Sequence, residues 1–282
     1  MEKFSSLFIY RYDNSEILGL FSNTIKVLGF VPKYMDVFIS EDEILNDITY
    51  SEHSAVSLLS KGATSILIKK QLHDEAGDNY WFRLSIDKRY YNTVSFQWVN
   101  NNLDFLINSD SFIDYLNTKN LLCGYCYNLE DCFSQSNENI SYYKLMMGDT
   151  PFKTKKNQFD DNIIDVSEHW GRSEKACGLE FMAAPLMWFG ESFFYIIPKV
   201  DLLSFKYEAN ASSQFENIVF IKLFNLYSLP SKDENRIKQK EFWLSLGLKE
   251  KINNYEKSHS IDLDQWVKEQ MLLKNKKRNK LL

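Results

Sequence analysis

An α+β fold is predicted, with a mixed, mainly antiparallel sheet flanked by helices and a helical C-terminus. Three observations carry that reading. Strand-like and helix-like runs alternate over the first 71 residues. Two aromatic and β-branched runs at 80–87 and 92–99 are separated by a short polar turn, which is how a hairpin is written. The last fifty residues then change to apolar spacing with charged faces, the pattern of surface helices. A chain of 282 residues with 44% hydrophobic, 15% aromatic and 25% charged residues can bury a large core.

Taken in order, residues 4–12 alternate enough for a strand, and Asp13, Asn14 and Ser15 supply caps for a helix over 16–30 that closes at Gly29 and Pro32. A second strand is expected at 34–40, a helix at 51–62 ending on Gly62, and a third strand at 64–71, giving a β-α-β-α-β opening. After the hairpin, 110–120 has the cap and spacing of a helix and the run from Asn120 returns as a strand. Residues 134–161 are polar, with Gly148 and Pro151 near their middle, and read as a long connection or small subdomain. Strands are expected at 162–167, 192–200 and 216–224, with a short helix starting between Leu202 and Lys206. Two arrangements fit this order: half-domains at 1–135 and 162–282 joined by a connection at 136–161, or one integrated domain.

Composition excludes several classes. The first residues contain neither a long apolar region nor a small-residue cleavage site, so a cytoplasmic location is expected. The longest apolar passage, 178–200, is broken by Glu180, Pro185, Glu191 and Pro198, so no membrane span is expected. The net charge of −5 is unevenly placed, with 30 acidic against 20 basic residues in 1–230 and 8 against 13 in 231–282. An acidic body repels phosphate backbones, so no nucleic-acid partner is expected, while a basic protein partner suits it.

The chemistry-bearing motifs are few. Cys123 and Cys126 form a C-x-x-C pair that in a redox site would sit at a helix N-terminus, but here they fall within a strand-like run. Joined by Cys132 and either His169 or Cys177 they could be drawn as a zinc set, but the second tight ligand pair is absent. Free, buried thiols are the simpler reading. His53, His73, His169 and His259 are scattered with no nucleophile in a family pattern nearby, and neither G-x-G-x-x-G nor a P-loop occurs. No catalytic residue and no cofactor is therefore assigned.

The densest unusual patch is 164–172 followed by 187–190. Asp165 and Ser167 can brace the turn at Gly171, Arg172 can pair with Asp165 or another acid, and Trp188 with Phe189 can plug the core before Gly190. The Asp165-x-Ser167-x-x-x-Gly171-Arg172 stretch leading into Met187-Trp188-Phe189-Gly190, on an acidic and aromatic-rich chain, resembles immunity proteins of bacterial polymorphic toxin and type VI secretion effector systems. The resemblance covers residues 162–224 and departs at His169 and Trp170, where Asn-Pro is expected, so no residue roles are carried over. It implies a cytoplasmic, non-enzymatic protein that neutralises a cognate toxin by stoichiometric binding. The rival expectations are a hydrolase or transferase whose site is assembled from sequence-distant residues, and a structural component of a phage or secretion apparatus.

Overall fold

The computed structural model describes residues 4–11, 17–27, 31–40, 43–70, 81–87, 93–100, 120–157, 159–204, 217–228 and 232–259. Its first elements are β1 (Phe4–Arg11), α1 (Ile17–Val27), β2 (Tyr34–Ser40), β3 (Glu43–Thr49), α2 (Glu52–Ser60), β4 (Ser65–Lys69), β5 (Trp81–Asp87), β6 (Thr93–Asn100) and β7 (Leu121–Asn128). Then follow α3 (Leu129–Ser136), α4 (Ile140–Met147), β8 (Thr154–Lys156), β9 (Asn162–Ile164), β10 (Ser173–Ala176), β11 (Leu179–Met182), β12 (Leu186–Gly190), α5 (Lys199–Leu203), β13 (Ile218–Lys222), α6 (Asp233–Ser245) and α7 (Leu248–His259). Tight 3₁₀ turns occupy Val166–Glu168 and Glu191–Tyr195.

Among the described residues nine strands form one sheet in the order β13-β12-β7-β1-β6-β5-β4-β2-β3, and every pairing is antiparallel. Strands from both sides of 136–161 therefore lie in the same sheet. β1 and β7 run through its middle and are buried on both faces, which explains why FSSLFIYR and LLCGYCYN show little polar alternation. Buried hydroxyls there are satisfied: Ser6 Oγ lies 2.9 Å from Cys126 Sγ, and Ser5 Oγ accepts from Gln97 Nε2 at 3.0 Å.

Two cores form, one on each face. On the first face Phe8, Phe82, Phe96, Ile66, Met35 and Trp188 pack with Phe21 of α1 and Ala55 and Leu59 of α2. On the second, Leu7, Ile9, Tyr125, Met187, Phe189 and Ile221 lie beneath Phe181 of β11, Phe193, Leu202 of α5, Phe242 and Trp243 of α6, and Ile252 of α7. Each such side chain contributes roughly 1.5–3 kcal/mol by burial.

The α+β class, the antiparallel sheet, the hairpin and the C-terminal helices match the sequence reading. Helix α2 begins where Ser51 Oγ accepts from the Ser54 amide at 3.0 Å and gives way to Gly62 at φ +108°, a left-handed value that favours glycine. The expected opening lacks one strand. β3 follows β2 directly, at an edge where mostly exposed side chains erase the apolar alternation. That edge carries two register irregularities and Asp47 at φ +54°, with Lys69 Nζ bridging Asp36 at 2.7 Å and Asp47 at 3.0 Å, devices that blunt further pairing.

The strand expected at 192–200 is a 3₁₀ turn followed by α5. Buried Phe193 and Ile197 are four residues apart and Tyr195 between them is 93% exposed, a helical rather than a strand spacing. The strand expected at 162–167 stops at Ile164, where Asp165 caps the next turn. The polar 134–161 stretch contains the end of α3, all of α4 and the start of the β8–β9 hairpin. The caps at 13–15, the helix at 110–120 and the helical run beyond 259 lie outside the described residues.

Candidate docking surface

The patch singled out in the sequence separates into two places. Asp165 Oδ1 accepts from the Ser167 amide at 3.1 Å, and hydrogen bonds from Ser167 hold the Asp165 carboxyl below its ordinary range, with Lys155 Nζ 3.7 Å away. Arg172 follows one residue after Gly171 but does not reach Asp165. Its Nε donates to Glu174 Oε1 at 2.6 Å, its Nη1 donates to the His169 carbonyl at 3.2 Å, and its guanidinium lies 4.1 Å from the Trp243 ring centre. The side chain is 3% exposed, so this arginine is spent on holding the segment to α6. A Cβ on Gly171 would overlap the Arg236 guanidinium, which reaches past it from α6 to pair with both oxygens of Asp131 on α3.

Trp188 and Gly190 lie in the sheet and join no surface. Trp188 stacks on Phe220 with ring centres 5.0 Å apart and tilts against Phe8 at 5.2 Å, and a Cβ on Gly190 would overlap the Leu121 carbonyl on β7. Both are packing residues in the sheet.

The segment around the turn exposes what the sequence reading passed over. Phe133 on α3 meets Tyr142 on α4 edge to face at 4.9 Å, and Leu145 stands one helical turn beyond Tyr142. Their exposures are 47%, 37% and 78%, large values for three neighbouring apolar side chains. Beneath Phe133 runs an open cleft of about 660 Å³ whose walls include Ser167, Arg172, Glu138, Glu174, Lys155 and Lys249. The available signal was Asn139, which caps α4 by accepting from the Tyr142 amide at 2.9 Å ahead of ISYYKLMM. His169, half-buried, sits behind this surface with Nδ1 3.2 Å from the Gln135 carbonyl, and burial pushes its pKa down.

The C-x-x-C pair occupies a sheet strand, not a helix N-terminus. Cys123 and Cys126 are three residues apart on β7 and so point to opposite faces, Cys123 into the second core and Cys126 into the first. Both are free, and burial pushes each thiol up to about 12. Among the described residues no group of three or more His, Cys, Asp and Glu is placed to hold a metal ion, and no helix is long and apolar enough to cross a membrane.

Two further clefts open elsewhere. One of about 800 Å³ contains Asp87, Glu180 and Glu256 but no histidine in its lining, and one of about 390 Å³ contains His259 with Arg11, Lys251 and Tyr255 but no carboxylate side chain.

No family model and no curated protein matches the chain. Among solved structures it is similar to the Pseudomonas aeruginosa T6SS protein PA0821, at 9% identity over 96% of this chain and 89% of that one, with a TM-score of 0.49. It is also similar to a chain in the crystal structure of the toxic C-terminal tip of CdiA from Pseudomonas aeruginosa in complex with immune protein, at 12% identity over 45% of this chain and 86% of that one, with a TM-score of 0.28.

Proposed function

We propose that this protein is a bacterial immunity protein that acts in the cytoplasm by binding and neutralising a cognate protein toxin stoichiometrically. The single observation supporting this reading is the exposed Phe133, Tyr142 and Leu145 cluster above a cleft, because adjoining apolar side chains with a polar rim mark surfaces that meet another protein. Aromatic side chains are favoured as binding anchors since they bury a large area at little entropic cost. Carboxylate excess over residues 1–230, 30 acids against 20 bases, attracts a basic toxin domain and raises its rate of approach. Neutralisation requires only that the partner's active site be covered or distorted, so no group on this chain needs to perform chemistry.

The test is co-purification of the tagged full-length protein from its own host, followed by titration of whatever binds stoichiometrically. A single toxin partner is expected, with Leu145→Glu weakening it by about 30-fold or more while the thermal midpoint of the free protein stays unchanged. Loss of affinity accompanied by unfolding, or a partner indifferent to both Leu145→Glu and Phe133→Ala, overturns the assignment of this surface. Turnover of a small substrate by the isolated chain would replace the inhibitor reading with that of a hydrolase or transferase.

A further inference from the structure

The end of β1, the turn at Glu191–Tyr195 and one side of α7 enclose the cleft of about 390 Å³. Its floor is apolar, formed by the buried Leu122 of β7 and Leu179 of β11 with Ile196 beside them. Lys251, Asn254, Tyr255, Ser258 and His259 recur at the three- and four-residue spacing that puts them on one side of α7. The Tyr255 and His259 rings stack there with centres 4.2 Å apart. Lys249, on the opposite side of the same helix, belongs to the cleft beneath Phe133.

Charge in this cleft is one-sided. Arg11 and Lys251 line it, and no Asp or Glu side chain does. The nearby acids stand outside the lining: Asp201 meets Lys251 Nζ at 2.9 Å, Glu191 opens the turn, and Asp87, opposite Thr93 on β5, lines the neighbouring cleft. A concave wall that is partly apolar concentrates such a field on whatever enters.

A second observation points to a ligand. Thr93 is 4% exposed and lies directly opposite Arg11, at the ridge this cleft shares with the one over β5 and β6. Its hydroxyl makes no hydrogen bond among the described residues, although burial of a polar group without a partner is unfavourable. On the two walls the Ser192 hydroxyl and the Asn254 side-chain amide are likewise without partners among the described residues.

We propose that this cleft binds a small soluble phosphate monoester. A phosphate calls for positive charge and several donors together: Arg11 offers a planar fork, Lys251 a second charge, and Thr93, Ser192 and Asn254 donors for further oxygens. A carboxylate, with two oxygens and one charge, would leave part of this set unused. The apolar floor takes the organic body, and the volume is that of a small-molecule site.

The probe is phenyl phosphate, titrated calorimetrically into the full-length protein. Saturable one-to-one binding is expected, weakened about tenfold by Arg11→Gln and by Lys251→Gln, while Lys251→Arg, which keeps the charge, stays within about threefold of the parent. Inorganic phosphate, lacking the body, should bind about tenfold more weakly than phenyl phosphate. Thr93→Val should weaken binding severalfold and leave the thermal midpoint of the free protein unchanged or higher, whereas a hydroxyl that served only structure would lower the midpoint when removed. The proposal is overturned by an absence of saturable binding up to about 10 mM, by affinity indifferent to both Arg11→Gln and Lys251→Gln, or by benzoate or inorganic phosphate binding as tightly as phenyl phosphate. Flotation with vesicles of phosphatidylcholine and phosphatidic acid that Arg11→Gln abolishes would also overturn it, by making the cleft a lipid-headgroup site.

Discussion

Aromatic side chains serve opposite ends in two parts of this molecule. Across the nine-stranded sheet they are sealed: Phe8, Phe82, Phe96, Phe189 and Trp188 are all at most 3% exposed and each meets a neighbouring aromatic ring, Phe8 with Trp188 and Phe82 with Phe96 on one face and Phe189 with Phe193 on the other. On α3 and α4, Phe133 and Tyr142 touch each other just as closely yet stay in solvent. Residue type and ring contact are alike in the two places. What differs is cover, because the sheet has helices on both faces while α3 has no buried residue at all. Contact between aromatics thus marks a core only where a second layer excludes water, and elsewhere it marks a surface prepared for one.

The sharpest way to break that contrast is to truncate one aromatic from each region. Trp188→Ala removes a side chain held between Phe8 and Phe220 and leaves a void on the sheet, and a loss of about 3–5 kcal/mol is expected in urea unfolding. Phe133→Ala should change stability by no more than about 0.5 kcal/mol in the same experiment. Similar losses for the two would show that α3 is covered in solution and that its aromatics are core.

Sequence legibility divides along the same line. Where one or both sheet faces are covered, burial imposes a pattern, and 34–40, 81–87, 93–100 and 121–128 stand close to where alternation and composition put them. Where nothing imposes a pattern it cannot be read, so β3 at the bare edge went unseen, and the β10–β11 hairpin, though β11 is buried, has strands of only four residues, too short to show a period. The 192–200 stretch failed for a different reason: an apolar run carries no period that separates strand from 3₁₀ turn, and Pro198 marks the start of α5. Asp165 caps the turn at 166–168 through the Ser167 amide, whereas the Trp243 ring against Arg172 and the Arg236–Asp131 pair that requires Gly171 come from α6 and α3 and have no local signature.

Gly171 sharpens the comparison from inside the surface segment. Its missing Cβ lets Arg236 pass to Asp131, so helix α3, mostly half-buried with Leu129 and Cys132 packed against the second core, is fastened to α6 by one bidentate pair. Gly171→Ala pushes the guanidinium aside and should cost about 1–3 kcal/mol, with faster amide exchange over α3 than over β7. Uniform exchange across both would mean that α3 is held by packing and that the ion pair is incidental. Leaving Gly171 in place and replacing Asp131 by Asn should reproduce the α3 loosening, since the same pair is weakened from its other end.

The smallest effect concerns pH. Hydrogen bonds from Ser167, with lesser help from Lys155 and Lys153, lower the Asp165 pKa, and Lys153 does the same for Glu168. A carboxyl whose pKa is lower folded than unfolded stabilises the fold above its unfolded value, and that contribution is lost as pH falls through the folded value. The segment 165–168 should therefore loosen on the acid side, below the ordinary carboxylate range of about 4, and be insensitive near neutrality. Asp165→Asn retains an acceptor for the Ser167 amide but cannot titrate, so its midpoint should fall slightly below that of the parent at pH 7 and converge with it toward pH 3. Asp165 is partly exposed and Glu168 exposed, and screening keeps the difference small and makes it shrink further with added salt. A gap between parent and variant that persists unchanged to pH 3 would show that Asp165 acts through the shape of its cap and not through its charge.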